Sequence, residues 1–195
     1  MRMKALRRGP GQTNCYVVCW ETSPAYVIDP AGDAPAILAA LRELGAEEWR
    51  VLLTHAHFDH ILALNDLGAA AVYAHPLEEE ALRDPALNLS AAVGGAFSSD
   101  LPLVALDEGG SAGPFRVLHT PGHRPGSLCF HCEEEGLLFS GDTLFFAGVG
   151  RSDLPGGDPA RLAASLRRLL ALPPQTLVYP GHGPQTSVGA ERARR

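Results

Sequence analysis

The run His55-Ala56-His57-Phe58-Asp59-His60 constrains this chain more than any other stretch of its sequence. Three imidazoles and a carboxylate fall within six residues, directly after the apolar run RVLLT at 50–54. A short apolar run of this kind predicts a strand buried on both faces, so four metal-competent side chains leave the end of a core strand. At the chain's own His and Asp frequencies, a chance match to H-x-H-x-D-H is below about one in a thousand. In an extended turn, residues two apart point the same way, so His55 and His57 can converge on one cation. Asp59 and His60 then reach a second.

Three more residues of ligand type stand at comparable places. His123 follows FRVLHT (115–120) in TPGHRPGS, Asp142 closes LLFSGD (137–142), and His182 follows TLVYP (176–180) in PGHG. The neighbouring glycines permit tight backbone turns close to a bound ion. Five imidazoles and two carboxylates without a thiolate suit Zn²⁺, Fe²⁺ or Mn²⁺ at a two-metal site. His75, before a proline, and His131, alternating within a strand, read as structural residues. His119, Asp29 and Thr54 are candidates to orient a ligand by hydrogen bond, with turn formation or strand capping as the competing explanation for the last two.

Strands are predicted at 14–20 and 25–29, separated by the turn TSP at 22–24, and at 50–54, 70–75, 115–120, 127–132, 137–142 and 176–180. Helical spacing of apolar residues predicts helices at 34–45, at 59–68 and from Asp158-Pro159 through Leu172. Charges recur at helical spacing over 76–83, whereas 84–113 and 147–157 read as irregular loop. The unit 50–75 is β-loop-α-β, a crossover that favours a parallel pair. The expectation is one α/β (α+β) domain over 1–195, a four-layered αββα sandwich, which composition alone does not separate from a doubly wound sheet.

Composition narrows the partners. With 16 Lys+Arg against 22 Asp+Glu the net charge is −6, which repels phosphate backbones and anionic lipid, so neither nucleic acid nor a membrane surface is expected. The basic start MRMKALRRGPGQTN lacks the apolar stretch of a signal peptide, and a cytoplasmic protein is expected. Four cysteines, Cys15, Cys19, Cys129 and Cys132, suit a reducing compartment. Cys129-x-x-Cys132 lies in a predicted strand, where positions three apart face opposite sides, and reads as structural.

THAHFDH, HTPGHRPGS, FSGDTLF and YPGHG together resemble the metallo-β-lactamase superfamily, and within it the glyoxalase II-like (hydroxyacylglutathione hydrolase-like) branch, from about residue 14 to His182. The resemblance implies the αββα fold and two divalent ions, zinc first, with iron or manganese as alternatives. It further implies that His55, His57 and His123 hold one ion, that Asp59, His60 and His182 hold the other, and that Asp142 bridges them. True β-lactamases generally lack that bridging aspartate, and flavodiiron proteins usually carry glutamate where this chain has His57. RNA-processing relatives bring extra nucleic-acid-binding segments for which this chain has neither length nor charge.

The implied activity is hydrolysis of a small thioester, S-acylglutathione or a related compound, by water activated between the two ions, with Asp59 orienting that water or holding its proton. The chain ends about a dozen residues after His182, where full-length glyoxalase II continues into a helical glutathione-binding domain. Recognition is then left to loops such as 147–157 or to a second copy in a homo-oligomer. AGVGRSDLPGGD (147–158) resembles the G-R-[ST]-D segment of short glyoxalase II-like proteins and persulfide dioxygenases. Arg151 is thus a candidate anchor for a substrate anion, the other explanation being a bracing pair with Asp153. The alternatives are a mononuclear iron persulfide dioxygenase using His55, His57 or its equivalent His123, and Asp142, and, more remotely, a non-catalytic binding module of the same fold.

Overall fold

A computed structural model describes residues 1–21 and 24–195, so residues 22 and 23 of the expected turn lie outside the described residues. The chain divides into two compact units, Met1–Ala105 and Leu106–Arg195.

The first unit is built on a six-stranded sheet whose spatial order follows the chain: β1 (Arg2–Arg8), β2 (Thr13–Cys19), β3 (Ala25–Ile28), β4 (Trp49–Leu52), β5 (Val72–Ala74) and β6 (Leu103–Ala105). β1, β2 and β3 are antiparallel neighbours, and β3 to β6 run parallel. Helix α1 (Ala34–Glu43) starts at Asp33, whose carboxylate accepts the Ala36 N–H at 3.1 Å, a cap that contributes about 1 kcal/mol. Its Ile37 and Leu41 pack into one cluster with Val17, Val27, Val51 and Leu53. Truncating such a buried leucine to alanine costs about 2–5 kcal/mol.

The helix expected at 59–68 is instead a single turn, α2 (Phe58–Ile61), followed by a 3₁₀ turn at Leu64–Asp66. The amide of Ala63 bonds to the carbonyl of Pro30 at 3.0 Å, so a tertiary acceptor takes a donor that a longer helix would use itself. Helix α3 (Glu79–Arg83) lies within the charged stretch. The first strand and the short edge strand β6 were not expected, because neither carries a strong period-two pattern.

In the second unit the strands are β7 (Ser111–Ala112), β8 (Phe115–His119), β9 (Leu128–Cys132), β10 (Leu137–Gly141), β11 (Leu144–Phe145), β12 (Gly148–Val149), β13 (Leu177–Pro180) and β14 (Thr186–Ser187). Six of them form a sheet in the order β14-β13-β10-β9-β8-β7, and β11–β12 is a separate hairpin whose second strand falls inside the segment 147–157 expected to be loop. β10 and β13 are parallel and the other pairs antiparallel. Helix α4 (Pro159–Leu170) connects them, capped by the Asp158 carboxylate on the amides of Ala160 and Arg161. Its Leu169 packs with Cys129, Leu138 and Val178 of the sheet. Helix α5 (Val188–Ala193) follows β14; both lie past the last strand expected from sequence.

Each unit is therefore a mixed sheet with helical cover packed into its apolar cluster. The four cysteines are buried thiols, and burial pushes Cys15 and Cys132 above the ordinary thiol range. Among the described residues no helix is long and apolar enough to cross a membrane.

Candidate metal centre

In the first unit the site grows from the C-terminal ends of the parallel strands β3 and β4. Asp29, one residue past β3, has φ +51, a left-handed conformation that aspartate tolerates better than most residues. Its Oδ1 accepts the Thr54 N–H at 2.8 Å, and its Oδ2 accepts the Thr54 hydroxyl at 2.7 Å and stands 2.9 Å from His60 Nδ1. These contacts dictate tautomers. A carboxylate only accepts, so His60 Nδ1 carries the proton and Nε2 presents a lone pair. Thr54 has given its one hydroxyl proton to Asp29; His55 Nδ1, 3.1 Å from Thr54 Oγ1, must therefore donate. His55 Nε2 is then a lone pair as well.

That Nε2 lies 3.1 Å from His57 Nδ1. Two donors bound to one ion at about 2.1 Å stand roughly 3 to 3.5 Å apart, so this separation suits a shared cation. Asp59 Oδ2 sits 3.8 Å from His60 Nε2 and accepts the Thr13 hydroxyl at 2.8 Å. The backbone is pinned around these side chains: the Ala56 amide bonds to Glu78 Oε2 and the Phe58 amide to the Asn88 carbonyl, each at 2.9 Å. Thr13 and Glu78 escaped the sequence reading. Thr13 is 46 residues from its partner, and Glu78 sits in the charged stretch 76–83 yet is fully buried.

In the second unit Asp142 and His182 follow the parallel neighbours β10 and β13, and the Gly181 amide, just past β13, bonds to the carbonyl of Gly141 at the end of β10 at 2.8 Å. Asp142 Oδ2 stands 3.4 Å from His182 Nε2 and 3.5 Å from His123 Nε2. Both distances are long for hydrogen bonds and suit donors arranged around cations. His123 Nδ1 donates to the Arg151 carbonyl at 2.7 Å, which again leaves Nε2 as the ligating nitrogen. Two close approaches require glycine. A Cβ on Gly122 would lie 2.2 Å from the Leu162 nitrogen of α4, and one on Gly150 would lie 1.8 Å from the Asp142 carbonyl oxygen and 3.2 Å from His123 Nδ1.

His119 acts one step away from these groups: its Nε2 donates to the Pro125 carbonyl at 2.8 Å, bracing the turn that carries His123. His75 accepts the Leu77 amide and caps a 3₁₀ turn, and His131 is buried in β9, where burial lowers its basicity. The guanidinium of Arg151 makes two 2.7 Å hydrogen bonds to the Asp153 carboxylate. Those hydrogen bonds hold the Asp153 carboxyl at about 2. Both side chains remain exposed. The donor set in each unit, imidazole Nε2 or Nδ1 atoms with carboxylate oxygens, is that of a Zn, Fe or Mn ligand set. The hydrogen bonds from Asp29, Thr54 and the Arg151 carbonyl are of the kind that orients such ligands.

A family model described as the metallo-beta-lactamase superfamily matches residues 8–182. The chain is 39% identical to the probable metallo-hydrolase YqgX of Bacillus subtilis, over 98% of this chain and 95% of that protein. It is 32% identical to the hydroxyacylglutathione hydrolase GloC of Haemophilus influenzae, over 93% and 90% respectively. Among solved structures it resembles TTHA1623 in a di-iron-bound form, with TM-score 0.89, 44% identity and 96% of each chain covered. It also resembles BLEG-1, described as a B3 metallo-beta-lactamase, with TM-score 0.90, 40% identity and coverage of 98% and 97%.

Proposed function

Because this chain belongs to the metallo-β-lactamase superfamily, we propose that it is a dinuclear metallohydrolase that cleaves small thioesters of the S-acylglutathione type, with 1–195 acting as one catalytic domain. The observation that carries the reading is Asp142, whose single oxygen Oδ2 stands 3.4 and 3.5 Å from two imidazole nitrogens, an arrangement that suits a carboxylate shared by two ions. The hydroxyacylglutathione hydrolase relative at 32% identity supports the substrate class. In this assignment His55, His57 and His123 would hold one ion, Asp59, His60 and His182 would hold the other, and Asp142 would be shared between them.

When bound, the ions supply Lewis acidity, which polarises a carbonyl and brings the ionisation of water near neutral pH. The protein's own residues do the rest. Asp59, aimed by Thr13, orients the attacking water or holds its proton at the carboxylate. Asp29 keeps His60 and, through Thr54, His55 in their ligating tautomers. The leaving thiolate has a conjugate acid near the ordinary thiol value of about 8.5 and departs without a strong general acid. The exposed guanidinium of Arg151 exchanges Asp153 for a carboxylate of the substrate.

The test is metal content and turnover of the purified protein. Close to two equivalents of Zn, Fe or Mn are expected, with hydrolysis of S-D-lactoylglutathione or of simpler thioesters in a panel with and without the glutathione moiety. Asp142→Asn should lose activity by orders of magnitude at a nearly unchanged melting temperature. One iron equivalent with oxygen uptake on a persulfide would replace this reading, and absence of turnover on every thioester would end it.

A further inference from the structure

Glu191 is a fully buried carboxylate on the short helix α5, outside the ligand set. Its oxygens accept the Thr186 hydroxyl at 2.7 Å, the Ala147 amide at 3.1 Å, Arg194 Nη1 at 2.6 Å and Arg195 Nη1 at 3.0 Å. Arg195 also donates to the Gly148 carbonyl at 2.9 Å, and the Arg194 guanidinium lies 4.5 Å from the centre of the Phe146 ring. Every one of these loop contacts falls on residues 146–148, at the tip of the β11–β12 hairpin. Ala147, the residue Glu191 grips, has φ +51. A non-glycine residue keeps that conformation only where its surroundings impose it.

The held segment leads directly into the ligands. Two residues beyond Gly148, the Gly150 backbone lies against the Asp142 carbonyl and the His123 ring. The next residue, Arg151, offers the carbonyl that accepts His123 Nδ1–H at 2.7 Å. On the other side of the tip, the Phe145 ring meets the His182 imidazole edge-on at 6.0 Å. A shift of the tip would therefore displace the acceptor that sets the tautomer and orientation of His123.

We infer that Glu191, with Arg194 and Arg195, is a positioning device for the metal ligand His123, acting through the clamped loop 146–151. The inference rests on the assignment of His123 as a ligand. Loss of an outer partner of a ligating histidine typically weakens metal binding 10–100-fold, and Glu191→Gln should do so for one of two equivalents.

The experiment is a chelator competition on the full chain with zinc as the only probe and no substrate. Glu191→Gln is expected to release one zinc equivalent about 10–100-fold more readily than the unmodified protein, with the other equivalent unaffected. Arg192→Ala is the control, because Arg192 anchors the same helix through the Leu170 and Leu172 carbonyls. It should lower the melting temperature and leave both equivalents in place. If Glu191→Gln does not fold, Arg195→Ala, at a partly exposed position, should weaken the same equivalent in the same direction. Two equivalents held as tightly in the variant that folds as in the unmodified protein would overturn the inference, as would an equal zinc loss in Arg192→Ala. A protein that binds two zinc ions but turns over no thioester would end the proposed function and leave this inference standing.

Discussion

Asp29→Asn tests how far the tautomers of the first unit depend on one carboxylate. The change is nearly isosteric, and asparagine tolerates the left-handed backbone found at this position, so geometry alone does not prevent folding. In the unmodified protein two oxygens face three donors: the Thr54 amide, the Thr54 hydroxyl and His60 Nδ1. If the asparagine oxygen keeps the Thr54 amide, its NH₂ meets the other two. His60 must then move its proton to Nε2, and Thr54 must turn its hydroxyl toward His55 Nδ1, forcing that proton to Nε2 also. Both ligating nitrogens would be protonated. Two hydrogen bonds to a charged acceptor, at roughly 1.5–3 kcal/mol each, give way to neutral ones at roughly 0.5–1.5 kcal/mol each, a net loss of about 2–3 kcal/mol. At about 2–4 °C per kcal/mol for a chain of this size, that is a fall of roughly 4 to 12 °C in the melting temperature of the metal-free protein. Zinc affinity should drop about 10–100-fold. Thermal unfolding in chelator and a competition titration read the two effects separately. A metal-free melting temperature within about 3 °C of the unmodified protein, with unchanged zinc affinity, would refute the tautomer argument.

Gly150→Ala should cost both stability and metal, because its Cβ would meet the Asp142 carbonyl oxygen at 1.8 Å and neither backbone can yield without moving a ligand; a variant with normal melting and two bound ions would count against that packing. The hydrogen bonds and guanidinium groups around Glu191 outweigh its burial, which alone would raise its carboxyl, and hold it below the ordinary 4.5. A depressed folded value contributes stability above that range and loses it as pH falls through the folded value, so melting temperature should fall from about pH 4.5 downward, and less steeply in Glu191→Gln. Arg151→Ala should raise KM for carboxylate-bearing thioesters more than for uncharged ones; an equal effect on both would assign the Arg151–Asp153 pair to bracing the loop alone.

The ligand candidates were legible because each is a local event: a histidine or aspartate beside glycine, one or two residues past an apolar run. The amphipathic helices α1 and α4 were legible for the same reason, through spacing and through their caps Asp33 and Asp158. The edge strands β1, β6, β7 and β14 were not, since short pairing segments at a sheet margin carry little periodic signal. Helix α2 was overestimated because the competing acceptor, the Pro30 carbonyl, lies on another connection.

Residue type and spacing thus determined which atoms can bind metal and roughly where the core strands run. What they left open was the proton on each imidazole and the rigidity of each ligand loop. Those are decided by Asp29 reaching across to His60, by Thr13 on Asp59, by the Arg151 carbonyl on His123 and by Glu191 on the loop tip. Such contacts join residues 28 to 46 positions apart, and a hydrogen bond across that separation has no trace in the chain until the strands pair. Folding alone brings the donor and the acceptor within 3 Å or so of each other, and with that contact the lone pair each ligand presents is settled.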